Sequence, residues 1–451
     1  MAIFRLNFSD GTYALFDNIK CKLFTSDGNP LDFSAFSHVK CMSSHEHLSE
    51  TDEVKKTKDI RGKLRFVFGY KCNYACKYCS QCENSQKDKT TFAQTLRTAQ
   101  QLCDVVTGTP RHIELWGGEP LVYLKHLKAV VKIFREKWKN VHIGIVTNGS
   151  LITEDVADYL LQEGITVGLS HDGPGQINRT DDPLKRNGKA IIRLAKGLID
   201  KYEKTKYAGF CVSATVAKNN FDVVAIQRYF EKVFPFRVVV DYEPVRLIGR
   251  AGSLDTFKDV AFDEESLKAY SNSIYALLDE KSKTDGFNTL CSDAQDFISR
   301  LVNIVSEPQI HSWCTMETAQ TLVVKANGAI LKCHNVDSPL QENGSIYDFE
   351  NNLVKGLFNW KLRRSCKECP LLQLCNGGCP ESKGNAFADN CQIFRAEFLP
   401  IFVWVINRTF KKRLVSIEGD MSFPIHELIE TPKGKIESVS KIDTTRFPAS
   451  N

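Results

Sequence analysis

The 451-residue sequence has no apolar run of the length needed to span a bilayer, which argues against a membrane protein. Its first residues, MAIFRLNFSD, lack the charged-then-apolar order of a secretory signal, so a cytoplasmic location is expected. Nor does one sign of charge dominate. The formal net charge is +5, and basic residues are interspersed with acidic ones, so a solvated surface is expected and no nucleic-acid partner. No internal repeat is evident, so a repeat architecture is not expected either.

Cysteine, by contrast, is abundant. There are sixteen, many for a protein of a reducing compartment, where a disulfide framework is not expected and clustered cysteines point to metal. They fall unevenly, in one group at 72–82 and a denser one at 314–391. Metal-bound thiolates would carry negative charge and make the working protein less basic than the count implies.

The length exceeds what one hydrophobic core usually serves, and a composition of 42% hydrophobic and 25% charged residues is ordinary for a folded chain. Residues 1–61 begin with short β-like runs, and the polar stretch from Ser43 to Lys63 reads as a linker. From 64 onward apolar strands alternate with amphipathic helices. LRFVFGY (64–70), HIELWGG (112–118), HIGIVTNG (142–149), ITVGLSHDG (165–173), GFCVSATVA (209–217) and FRVVVDYEPV (236–245) read as strands covered on both faces. Repeated β–α units of this kind predict an α/β fold, a parallel sheet closing into a full or partial barrel. Residues 262–305 look helical, 311–395 hold short strands, glycine turns and seven cysteines, and an apolar helix near 394–411 leads into a polar tail. The expected divisions are a β-rich extension (1–61), the barrel (62–250), a helical linker (251–310), a cysteine-rich domain (311–395) and a C-terminal helix and tail (396–451).

Cys72, Cys76 and Cys79 form C-x3-C-x2-C directly after the first of these strands. Three thiolates on one loop can hold three irons of a 4Fe–4S cube and leave the fourth iron open to a chelating substrate. A structural zinc site, which wants four ligands, fits the asymmetric triad poorly. Cys82 reads as a free thiol.

The run Y-K-C-N-Y-A-C-K-Y-C resembles the radical S-adenosylmethionine (SAM) superfamily. The resemblance implies a partial (β/α)6 barrel, a SAM-binding 4Fe–4S cluster, and a reaction begun by a 5'-deoxyadenosyl radical. Tyr78 matches the aromatic position that packs near adenine. Gly117-Gly118-Glu119-Pro120 resembles the family's GGEP, which holds the methionine amino group. Asn148 lies at the end of the third strand. Ser170 resembles the serine that contacts the ribose or methionine moiety, and Arg179 the arginine that meets the methionine carboxylate. His171 and Asp172 are expected to shape that loop.

The later cysteines read Cys314, Cys333, Cys366-x2-Cys369-x5-Cys375-x3-Cys379 and Cys391. Their spacing resembles the SPASM domain attached to many peptide-modifying radical SAM enzymes, which carries two auxiliary 4Fe–4S clusters, making three in all. By that resemblance Cys366, Cys369, Cys375 and Cys391 close the outer cluster. Cys314, Cys333 and Cys379 hold the inner one, leaving it a ligand short, since a further family position is Gln320 here. Either that cluster has an open iron, or a remote group such as Cys291 completes it. The lone Cys21, Cys41, Cys103 and Cys211 read as core packing.

In sulfatase-maturing members an Asp follows the cysteine of a GX4C motif, here Gly328-x4-Cys333, as a base. Here the position is His334, which is either an alternative base or a turn residue. The preferred reading is a maturase that crosslinks a ribosomally made precursor peptide, served by a low-potential electron donor such as flavodoxin or ferredoxin. The alternatives are a sulfatase-maturase-like or quinone-cofactor-maturing enzyme, and a non-catalytic zinc-binding interaction protein. Residues 1–61 either offer a sheet edge to a leader peptide or cap the barrel.

Overall fold

The computed structural model describes residues 2–31, 53–81, 90–202, 209–246, 258–281, 288–302, 314, 318–334, 342–349, 353–354, 359–419, 421–425 and 429. In chain order the strands begin β1 (Ile3–Phe8), β2 (Tyr13–Asp17), β3 (Lys22–Phe24), β4 (Val54–Lys55), β5 (Lys63–Val67), β6 (His112–Trp116), β7 (His142–Thr147) and β8 (Thr166–Ser170). They continue with β9 (Phe210–Val216), β10 (Val239–Pro244), β11 (Leu322–Lys325), β12 (Ala329–Leu331), β13 (Glu342–Ser345), β14 (Leu353–Val354), β15 (Leu414–Glu418) and β16 (Phe423–Pro424). The longer helices are α1 (Phe92–Val105), α2 (Leu124–Lys137), α3 (Glu154–Glu163), α4 (Pro183–Tyr202), α5 (Val223–Val233), α6 (Glu264–Lys281), α7 (Thr289–Val302) and α8 (Gly384–Phe410).

Strands β5 to β10 lie side by side in chain order, all parallel, with helices between them: the α/β partial barrel that the alternating pattern predicts. Local chemistry sets where the helices start and stop. Thr91 and Gln94 form a reciprocal capping box at the start of α1, while α3 begins at the Thr153 cap and stops at Gly164 in the left-handed region, φ 63°.

The strands are not apolar on both faces, as their sequences suggested. Leu64, Phe66, Ile113, Leu115, Val212, Ala214 and Val240 are fully buried beneath the helices. The alternate residues, among them Arg65, Glu114, Ser213, Thr215 and Asp241, are only half-buried and line the inner face. Helices cover one face alone; the other surrounds an interior that a closed barrel would fill with apolar side chains. Each large apolar side chain on the covered face contributes about 1.5–3 kcal/mol by leaving water.

The sheet does not end at β5. Strand β11 pairs parallel to it, with Val324 opposite Phe66, and β12 and β13 follow antiparallel. The cysteine-rich region thus extends the barrel sheet, and Thr98 Oγ1 of α1 fixes the hairpin by donating to the Ala326 carbonyl at 2.9 Å.

Three expectations are corrected. The segment 53–63 is not a linker: Val54 and Lys55 pair with β14, Lys56 Nζ donates to the Thr318 carbonyl at 2.6 Å, and Gly62 N donates to the Gln320 carbonyl at 3.2 Å. Residues 43–52 of that stretch lie outside the described residues. The expected boundary at 395/396 falls inside α8, which is buried around most of its circumference against α6 and α7. Nor is the chain after α8 only a tail, because β15 pairs antiparallel with β1 and joins the order β16-β15-β1-β2-β3. Each pairing joins segments hundreds of residues apart, which local patterns do not encode.

Helix α8 carries Pro400 in its interior. Proline lacks the N–H that would serve the Ala396 carbonyl four residues earlier. Ser271 of α6 supplies the missing donor, its Oγ 2.8 Å from that oxygen. Among the described residues no helix is long and apolar enough to cross a membrane.

Candidate active site

The loop bearing Cys72, Cys76 and Cys79 leaves the C-terminal end of β5, where a parallel barrel places its chemistry. Backbone bonds fix its entry: Gly118 N donates to the Gly69 carbonyl and Glu119 N to the Lys71 carbonyl, both at 2.9 Å. A Cβ on Gly118 would lie 2.4 Å from the Tyr70 oxygen, so this glycine serves contact between two protein loops. Farther along, Lys77 N donates to the Asn178 carbonyl at 2.9 Å and Ala75 N to Thr180 Oγ1 at 2.6 Å. The loop is therefore held from the ends of β6 and β8 at once.

Cys72 Sγ accepts from Tyr74 N at 3.4 Å, and the Asn148 amide lies 3.9 Å away. Burial pushes the Cys76 thiol up to about 12, Arg179 opposes that shift, and Cys79, Asp172 and Cys72 add to it. The thiols are thus close enough to disfavour one another's ionisation unless positive charge joins them. Among the described residues no three His, Cys, Asp or Glu side chains form a group that could hold a single metal ion. A four-iron cube takes each thiolate on a different iron and asks only for neighbouring thiols. The donor set fits such a cluster better than it fits zinc.

Glu119 is buried between these loops. Its Oε1 accepts from Leu121 N at 2.9 Å and Thr147 Oγ1 at 2.7 Å, and its Oε2 from Asn148 N at 2.7 Å. Burial raises its pKa against those three bonds. A carboxylate offers about four acceptor positions, so Oε2 retains one for a ligand ammonium. Asn148 is buried as well. It donates to Asn73 Oδ1 at 2.9 Å and accepts from Ser150 Oγ at 2.6 Å, which pins the cysteine loop to the end of β7.

Ser170 ends β8 opposite Ser213 on the inner face. The next two residues shape their loop, as expected. His171 is fully buried, accepts from Gly173 N at 3.0 Å through Nδ1 and faces Asp182 at 3.1 Å through Nε2. Asp172 Oδ1 receives Arg179 Nε and Thr215 N, both at 3.0 Å, and its Oδ2 receives the Tyr78 hydroxyl. Arg179 Nη2 reaches Thr215 Oγ1 at 3.3 Å, and the guanidinium stands 5.5 Å above the Tyr78 ring. Arg179 thus spends some donors on the protein and keeps Nη1 for a ligand carboxylate. The Tyr78 ring packs against Ala217, Val245 and Val260.

His334 follows β12 and comes to the inner face through the added hairpin. Its Nδ1 lies 2.8 Å from Arg65 Nη1, and its ring meets Trp116 edge-on at 4.5 Å. A guanidinium only donates, so Nδ1 is the acceptor and Nε2 carries the hydrogen of the neutral ring. Burial, then the Arg65 charge, hold the imidazole well below its usual pKa. In this seat the neutral ring presents its Nε2–H as a donor. Arg65 is itself fixed by Glu114, whose acidity burial would weaken but Arg65 and Lys63 strengthen. The Trp116 indole N–H is buried without a partner among the described residues.

In the second group, burial raises Cys369 to about 12, and Cys391 and Cys366 act on it. Cys375 is raised well above its ordinary value by burial and then by Cys369, Cys366 and Cys391. These four thiols are mutual neighbours, the set assigned to the outer cluster. Asn18 of the N-terminal sheet braces their loop, its amide donating to the Lys367 and Cys369 carbonyls at 2.9 and 2.8 Å. Cys314 and Cys333 pack together with Val54, whereas Cys379 lies within reach of Glu381 and Arg246. Cys291 packs into the main core on α7, away from the Cys314–Cys333 group. Cys82 lies outside the described residues.

Sequence reasoning passed over Asp241 and Glu243. They alternate with buried Val240 and Tyr242 on β10, so both lie on the inner face, Asp241 half-buried and Glu243 exposed. Acidic residues at every second position near the end of the sixth strand were the available signal. Cys211 also faces inward, opposite Gly168, rather than into the core.

The Radical SAM superfamily model matches residues 66–206. The serine-type anaerobic sulfatase-maturating enzyme of Bacteroides thetaiotaomicron is 24% identical over 355 residues, 71% of this chain and 83% of that one. The cysteine-type anaerobic sulfatase-maturating enzyme of Clostridium novyi is 23% identical over 368 residues, 73% of this chain and 91% of that one. The solved structure of native anSMEcpe with bound AdoMet and Cp18Cys peptide shares the fold with a TM-score of 0.57, at 22% identity, over 77% of this chain and 98% of that chain. With its cysteine loop at the end of the first barrel strand, this chain carries a Radical SAM domain and is homologous to the anaerobic sulfatase-maturating enzymes.

Proposed function

We propose that the protein modifies a side chain of a ribosomally made precursor peptide, forming an intramolecular crosslink from an unactivated carbon, to an aromatic residue. When bound, a 4Fe–4S cluster on Cys72, Cys76 and Cys79 with SAM supplies a 5'-deoxyadenosyl radical able to take hydrogen from such a carbon. Two auxiliary clusters are assigned to Cys366, Cys369, Cys375 and Cys391, and to Cys314, Cys333 and Cys379. The chain's own part is to bind and orient. Glu119 receives the ligand ammonium, Arg179 the ligand carboxylate, and Ser170 the ribose or methionine moiety; Tyr78 packs near adenine, and Gly117, Gly118 and Asn148 hold the loop in place. A low-potential flavodoxin or ferredoxin is the expected electron donor.

The observation that carries the crosslinking reading is the seat of His334. Oxidation of the sulfatase-maturing kind places a carboxylate base there, and this chain places a neutral donor between Arg65 and Trp116. The names of the relatives favour a second reading, oxidation of a Cys or Ser side chain. The N-terminal sheet acts as a cap: its β3 edge is covered by the returning chain, where Leu31 N donates to the Leu23 carbonyl at 2.9 Å.

The test is co-expression with a short peptide encoded beside the gene. A crosslinked product is lighter by a pair of hydrogen atoms and does not react with an aldehyde-trapping hydrazide. A hydrazide-reactive product establishes the oxidation reading instead, and an unchanged peptide counts against both.

A further inference from the structure

Beyond the end of β10, three structural elements, β10, α7 and α8, bring carboxyl groups together, and a fourth, α6, adds a tyrosine. Asp241 and Glu243 lie on the inner face of β10, level with Ser213 and Thr215 on the neighbouring strand. Asp293 stands in the first half of α7, and Glu397 on the buried α8. The elements are fixed to one another: Tyr242 N donates to Thr289 Oγ1 at 3.2 Å, tying β10 to the start of α7, and Ser271 ties α6 to α8 one residue before Glu397.

Among the described residues, positive charge there is limited to arginines that are already engaged. Arg246 pairs with Glu397 at 3.1 Å and lies over the Phe394 ring, and Arg300 is held by the Gln373 carbonyl. The Asp293 carboxyl has no hydrogen-bond partner among the described residues, although accessible surface reaches it. Tyr270 of α6 makes a second, independent observation. It is fully buried, stacked on Phe262 at 5.5 Å, and its hydroxyl has no partner among the described residues. Tyr270 precedes Ser271 and Glu397 follows Ala396, so the 2.8 Å bond between Ser271 and Ala396 sets Tyr270 and Glu397 on facing turns of α6 and α8, and Glu397, Arg246 and Asp293 act on the hydroxyl. A buried hydroxyl without a partner is costly, and a donor or acceptor brought by a ligand would offset that cost.

We propose that Asp241, Glu243, Asp293 and Glu397, together with the Tyr270 hydroxyl, form a pocket that receives the side-chain cation of a basic residue in the peptide substrate. The proposal rests on the reading of the protein as a peptide-modifying enzyme and adds a substrate class to it. A metal ion is a poorer occupant, because no three of these side chains group as a metal site. An ammonium or guanidinium carries its own donors and spreads its charge, so it satisfies separated carboxylates and a hydroxyl at once. The recess behaves as one short of positive charge: burial, then Glu243, push Asp241 up to about 7, and burial, then Glu397, raise Asp293 well above its ordinary value. Since Asp241 lies opposite Ser213, itself opposite Ser170, a cation here would anchor the peptide beside the expected SAM site.

The test uses the anaerobically reconstituted full chain with SAM and no reductant, so it reads binding whether or not the radical chemistry is as proposed. N-acetyl-lysine N-methylamide and its uncharged counterpart N-acetyl-norleucine N-methylamide are titrated in parallel by ligand-observed NMR. The lysine probe should bind at least about tenfold more tightly. Asp293→Asn and Asp241→Asn should each remove most of that preference, and Tyr270→Phe, which keeps the ring packing, should weaken it several-fold. Equal binding of the two probes, or a preference unchanged in all three variants, overturns the proposal. Saturable binding of Mg2+ alone that Asp293→Asn abolishes would also overturn it, by making the recess a metal site.

Discussion

Arg65 Nη1 donates to His334 Nδ1 at 2.8 Å, joining the first barrel strand to the turn after Cys333 in the cysteine-rich region. The bond leaves His334 neutral, with its remaining hydrogen on Nε2. His334→Gln, which keeps a side-chain donor, is therefore expected to hold product formation within about fivefold of wild type, with an unchanged pH profile. A general base is typically worth about 100-fold or more. A loss of that size, restored by added imidazole, would return His334 to the role of base.

The Ser271–Ala396 bond gives a prediction about stability. Ser271→Ala leaves a buried carbonyl that Pro400 cannot serve, at a cost of about 1–3 kcal/mol. Pro400→Ala restores a backbone N–H at that position, so the serine should matter less in its presence. Chemical denaturation of the two single variants and the double variant measures the coupling. Strict additivity would show that the hydroxyl does not substitute for the missing amide.

Asp241 predicts a pH dependence. Burial, then Glu243 and Glu397, raise it from 3.8 to about 7, with Thr289 and Arg246 opposing. Between those values the folded chain keeps a proton that the unfolded chain has released. This group's contribution to stability therefore declines as pH rises through that window. Asp241→Asn should gain on wild type in urea denaturation as pH rises from about 4 to about 7. Parallel curves would place the Asp241 pKa near its ordinary value.

The two cysteine groups are expected to separate by iron content. Cys366→Ala should lower iron by about four atoms while leaving SAM cleavage measurable, and Cys72→Ala should lose a similar amount together with cleavage. Iron unchanged in both variants would mean that neither group holds a cluster.

The part of this architecture legible in the sequence is the part that is local. LRFVFGY and its five counterparts became β5 to β10, and their alternating order fixed a parallel sheet. Whether a strand is covered on one face or two depends on what surrounds it, which is why Arg65, Glu114 and Asp241 were not read as an interior. The Val54 and β15 pairings were hidden because their partners lie hundreds of residues away. The acidic recess was hidden in the same way, since Asp293 and Glu397 are unremarkable until α7 and α8 bring them beside β10. Glu119 could be singled out from its motif, but the three donors that hold it could not.

Radical chemistry in this protein depends above all on the Cys72, Cys76 and Cys79 loop. The most direct measurement is 5'-deoxyadenosine formed by the anaerobically reconstituted protein with SAM and dithionite, compared with Cys72→Ala. The prediction is formation by the wild type, with about twelve irons bound per chain, and none by the variant. A protein that takes up zinc in place of iron and forms no 5'-deoxyadenosine would contradict it.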